Sequence, residues 1–105
     1  MILMQLHVTP WTESTPPTES ALREILTREG LDFYSWSNGP YDIYAPHAHA
    51  YDKVIYVVRG SITFQLIDLG QWHTLNAGDR LDLPAGIIHA AEVGVEGVVC
   101  LEAHC

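Results

Sequence analysis

Asn38 to Gly60 reads NGPYDIYAPHAHAYDKVIYVVRG, and this stretch decides how the remainder of the chain is to be read. His47 and His49 stand two residues apart, just ahead of an apolar run, Lys53 to Val58, that has the composition of a strand. Side chains of an extended strand alternate between faces, so residues at i and i+2 leave the same face about 7 Å apart. Two imidazoles so placed are a ready pair of metal ligands. A third comes from residues 78–93, GDRLDLPAGIIHAAEV, where Gly78, Pro84, Gly86 and His89 form a second spaced pattern.

Working outward, the signals after Leu31 have period 2, with turn residues every 8 to 12 positions. Residues 32–36, 41–44, 47–51, 53–58, 61–67, 71–75, 80–83, 87–93 and 98–103 read as short strands. Arg59-Gly60 and Gly94 to Gly97 read as hairpin turns. Ile62, Phe64 and Leu66 alternate with Ser61, Thr63 and Gln65, which gives one buried and one wet face. The run 53–58 is apolar on both sides. It is therefore either central, or its Val54, Tyr56 and Val58 face meets a second copy of the chain, and on that ground a homodimer is expected.

Before Leu31 the pattern changes. Met1 to Val8 suits an edge strand, stopped by Pro10. Thr15-Pro16-Pro17-Thr18-Glu19 is a helix-start signature, followed by Ala21, Leu22, Ile25 and Leu26 at helical spacing and by Gly30. One amphipathic helix over about residues 18–29 is predicted, covering a face or end of the sheet.

The 105 residues suit one domain, 1–105, with a real core. A net charge of −8, with Arg23, Arg28, Lys53, Arg59 and Arg80 as the only basic side chains, argues against a nucleic-acid partner. No apolar run reaches the roughly 20 residues of a bilayer span, and MILMQLHVTPW lacks the features of a secretion signal, so no membrane partner and a cytoplasmic location are expected. Cys100 and Cys105 are too far apart along one strand to bridge and are read as free thiols. His7, His73 and His104 fall outside both motifs and are read as exposed.

These motifs resemble those of the cupins, small β-barrel proteins of jelly-roll topology. The first cupin motif has Gly, a spacer, His-x-His, Glu and a final Gly; Gly39, His47, His49, Lys53 and Gly60 stand in those places, with a spacer two residues longer than usual after Gly39. The second is matched without a gap by Gly78, Pro84, Gly86 and His89, with Val93 in place of its final Asn. The resemblance implies an all-β double-stranded β-helix, a jelly-roll barrel over about residues 31–103 behind one short helix. It also implies that His47, His49 and His89 converge on a divalent transition metal: Mn, Fe, Ni, Cu or Zn.

Lys53, the only lysine, stands where the family usually supplies a carboxylate ligand. By strand parity it shares a face with the two histidines, whereas Asp52 points away. An ammonium about 5 Å from a dication is repelled by roughly 6 kcal/mol at an effective dielectric near 20. Three outcomes stay open: Lys53 swings to solvent and leaves an open three-His site; it is neutral and serves as a base; or it occupies a metal-free pocket. Glu102 on the last strand is a candidate for the missing carboxylate. The functions that follow are a metal-binding cupin, of dioxygenase or isomerase type, acting on a small organic molecule; a non-catalytic binding or sensing protein; or a metal-free enzyme with Lys53 as base or Schiff-base nucleophile.

Overall fold

A computed structural model describes residues 3–105. In chain order its elements are β1 (His7–Thr9), α1 (Glu19–Arg28), β2 (Phe33–Asn38), β3 (Ile43–His47), β4 (Lys53–Leu66), β5 (Gln71–Asn76), β6 (Arg80–Leu83) and β7 (His89–His104), with a short 3-10 turn at Ile67–Leu69. Met1 and Ile2, at the start of the expected first strand, lie outside the described residues, and β1 is confined to the end of that stretch.

The spine is the antiparallel pair β4 and β7, matched from Lys53 opposite His104 to Leu66 opposite His89. Both strands are longer than the sequence suggested, because Arg59-Gly60 and Gly94 to Gly97 are not hairpin turns. They are bulges, with register shifts between Val57 and Arg59 and between Gly60 and Ile62. Glycine inside a strand marks a bend or a close approach as readily as a turn. Here it marks both: Gly60 and Gly97 have φ of 79° and 78°, and a Cβ on Gly60 would lie 2.0 Å from the Gly97 carbonyl oxygen.

The bend folds the ladder over on itself. On one side β6 joins the first half of β4, carrying β1 at its outer edge, and β2 joins the second half of β7. On the other side β5 joins the second half of β4 and β3 joins the first half of β7. Mostly apolar side chains fill the space between the two halves: Ile55, Val57, Ile62, Phe64, Leu66, Leu75, Leu81, Leu83, Val93, Val98 and Cys100. Free Cys100 is buried there and free Cys105 is exposed.

Helix α1 covers the outside of the first half. Thr18 caps it by accepting the Ala21 N–H at 3.1 Å, and Glu19–Arg23 and Glu24–Arg28 pair one turn apart on its wet side. Leu22 and Leu26, both fully buried, pack on Val54, Tyr56, Val58, Leu101 and Ala103. The apolar outer face of β4 is thus covered by the chain's own helix. The ground for expecting a second copy on that face is removed.

Candidate metal centre and ligand pocket

His47 is the last residue of β3 and lies directly opposite His89, the first residue of β7. Pro46 sits within a register shift between Tyr44 and His47, and β3 ends there, so His49 is in a loop and not on the same extended strand. Loop anchoring, not alternation along a strand, brings His49 in. Its carbonyl oxygen accepts the Gly86 N–H at 2.9 Å, and two hydrogen bonds fix Asp52: Ala85 N–H to its carboxylate at 2.8 Å and Cys105 N–H to its carbonyl at 2.9 Å. The Pro84-Ala85-Gly86 turn that delivers His89 is therefore tied to the loop that delivers His49, and Asp52 is used in that tie.

The three rings meet. Centroids are 4.3 Å apart for His47 and His89, 4.8 Å for His47 and His49, and 5.3 Å for His49 and His89. One ring nitrogen from each lies within 4.8 Å of the others. A tetrahedral ion with bonds near 2.1 Å needs its ligands about 3.4 Å apart, a difference that small side-chain rotations close. Nδ1 of His47 donates to the Ala45 carbonyl at 2.6 Å and Nδ1 of His89 to the Ile87 carbonyl at 2.9 Å, so in both rings Nε2 keeps its lone pair. His49 Nδ1 is 3.2 Å from the Tyr51 hydroxyl, and its Nε2 is buried with no hydrogen-bond partner.

A buried polar atom without a partner is costly. A metal ion would supply the partner that the protein withholds, so these residues fit one. Burial pushes His89 down to about 4, and His49 is lowered by burial and then by Lys53 and His47. Both are the neutral, ligating form at physiological pH.

Beyond the histidines a cavity of about 440 Å³ runs between the two halves of the fold, walled by Trp36, Tyr44, Ile55, Ile62 and Phe64, with Lys53 and Glu102 also on its lining. Lys53 is 7 % exposed, which rules out the outcome in which it swings to solvent. Burial lowers its affinity for a proton, and Glu102, with Oε1 3.6 Å from Nζ, restores part of it. Glu102 is well supplied: the Tyr34 hydroxyl donates to Oε2 at 2.6 Å, His104 Nε2 lies 2.8 Å from Oε2, and the Trp36 indole N–H donates to Oε1 at 3.2 Å. Burial alone would raise the Glu102 carboxyl, but Tyr34, His104 and Lys53 together hold it below its ordinary value. Glu102 therefore stands in the pocket as a paired carboxylate and is not a member of the His cluster.

Tyr34 and His104 were not assigned to a site by the sequence reading, and Trp36, Tyr44, Tyr51 and Phe64, which could shape a pocket or fill the core, all line the cavity. His104 is exposed as expected, but only in part, since it also holds Glu102 and stacks on Tyr51 at 4.0 Å, which in turn stacks on His49. The signal was parity: Cys100, Glu102 and His104 share one face of β7, while Leu101 and Ala103 lie under α1. His7 is exposed and His73 half-buried on β5, both away from the cluster.

Residues 39–101 match the family model of the cupin domain. The chain belongs to the cupin family. Solved cupins share its fold: an RmlC-like cupin from Shewanella frigidimarina is 24 % identical over 70 % of this chain and 64 % of its own, with a TM-score of 0.61. This chain thus spans just under two thirds of that protein's length. A DUF861 family protein from Thermotoga maritima aligns over 96 % of this chain and all of its own at 17 % identity and a TM-score of 0.63. The polyketide cyclase RemF from Streptomyces resistomycificus is 28 % identical over 75 % of this chain and 59 % of its own, with a TM-score of 0.61. No curated protein matches by sequence. Among the described residues of this cupin, no helix is long and apolar enough to cross a membrane.

Proposed function

We propose that this cupin holds one divalent transition metal ion on His47, His49 and His89 and takes a small organic molecule into the adjoining cavity, as an enzyme of dioxygenase or isomerase type. The observation that carries the reading is the buried, partnerless Nε2 of His49 beside two imidazoles whose Nδ1 atoms are committed to backbone carbonyls. Imidazole suits Mn, Fe, Ni, Cu and Zn to differing degrees, and three protein ligands leave coordination positions free. Bound there, such an ion would act as a Lewis acid on an oxygen of the ligand. The chain's own contribution is a wall rich in aromatic side chains and fixed imidazole orientations. The 28 % identity to a polyketide cyclase supports an organic small molecule as substrate.

A second reading, ligand binding without metal, is favoured by the cationic Lys53 in place of the usual carboxylate. Elemental analysis after loading separates the two. About one equivalent of metal per chain is expected for the wild type, with less than a tenth in His49→Ala and His89→Ala. Less than a tenth in the loaded wild type would rule out the metal reading.

A further inference from the structure

Lys53 carries an unspent capacity. Its side chain is 9 % exposed, and Glu102 Oε1, its ion-pair partner, is 3.6 Å away, too long for a hydrogen bond. That oxygen already accepts from Trp36, and its twin accepts from Tyr34 and faces His104. The carboxylate is satisfied without lysine. The ammonium has no hydrogen bond to a described residue, and its N–H donors line the cavity. Nζ is not among the enclosed atoms that lack a partner, so it opens to the cavity space.

Much of the remaining lining is apolar or aromatic, with Trp36, Tyr44 and Phe64 beside Ile55 and Ile62, and the Trp36 and Tyr44 rings meet edge-on at 69°. A ligand that satisfied both would carry an anionic oxygen and a ring system. We infer that the cavity selects an aromatic organic anion whose carboxylate, phenolate or enolate oxygen is received by the Lys53 ammonium. The inference rests on the small-molecule pocket proposed above and names its ligand class. It also removes a conflict: an ammonium and a dication on one cavity repel each other, and an anion placed between them attracts both. Lys53, where the family motif places a carboxylate, then recognises ligand and does not ligate metal.

The test uses 2-naphthoate and 2-naphthamide, two probes of nearly the same shape that differ in charge, titrated by calorimetry against the full chain. It is run on chelator-stripped and on zinc-loaded protein. In stripped protein, where zinc itself draws no anion, naphthoate is expected to bind at least about tenfold more tightly than the amide, the ratio a charge-assisted hydrogen bond gives. The double variant Lys53→Met/Glu102→Gln has the same net charge as the wild type and leaves no buried carboxylate without its counter-ion. It should lose about tenfold in naphthoate affinity and stay within about twofold for the amide, with its folding checked by circular dichroism. Equal affinities for the two probes in stripped wild type, no naphthoate binding at millimolar concentration, or full naphthoate affinity in the double variant would overturn the inference. Failure of the metal proposal appears differently, as absence of zinc in loaded protein with the charge preference intact.

Discussion

At the scale of single residues, the three histidines were legible because spacing motifs record them, and Lys53 was legible as a departure from the motif. What could not be read was that Lys53 and Glu102 are neighbours, since that depends on β4 lying beside β7, a pairing 49 residues apart in sequence (102 − 53). Burial of His89 makes a further prediction. Its folded value is about 4 against an ordinary 6.5, so between those values the unfolded chain binds more protons than the folded one. The stability this group confers is complete above pH 6.5 and drains away as pH falls toward 4. Melting temperatures of chelated protein across this window should fall more steeply in the wild type than in His89→Gln. Parallel curves would show that His89 does not titrate in this way. His49, also lowered by burial, contributes with the same sign.

Among elements, helix α1 was read almost to the residue, from its cap at Thr18 to its end at Arg28, because caps and 3.6-residue periodicity are local signals. The long strands were not. A glycine in a strand-forming run punctuates it whether the chain reverses or merely bends, and only the partner strand tells which. The outer face of β4 likewise depends on its neighbours: the sequence left the strand either central or against a second copy, and the structure makes it central, with Leu22 and Leu26 of α1 packed on that face. The bend gives a sharp prediction. A hairpin turn at Gly60 would accept Ala at a cost of roughly 1–2 kcal/mol for positive φ. A packed bend, with the Gly97 carbonyl 2.0 Å from the new Cβ, adds a backbone clash. Gly60→Ala should therefore lose well over 2 kcal/mol in denaturant unfolding, or fail to fold. A loss under about 1 kcal/mol would mean that the two strands do not cross as described.

For the whole molecule, two motifs covering residues 39–93 were enough to give the fold, because each marks a point where the chain must turn back to deliver a histidine. The tie between the two turns, Gly86 N–H on the His49 carbonyl and Ala85 N–H on Asp52, shows why their spacing matters: it is the joint by which separate strands place three rings at one point. Everything functional in this account depends on that joint and on the lone pairs gathered there. The most direct test is a crystal of zinc-loaded protein measured across the zinc absorption edge. The account predicts one anomalous peak among the three rings, about 2.1 Å from Nε2 of His47, His49 and His89. No peak there, or zinc bound only at groups outside the cluster such as His7 or His73, would contradict it.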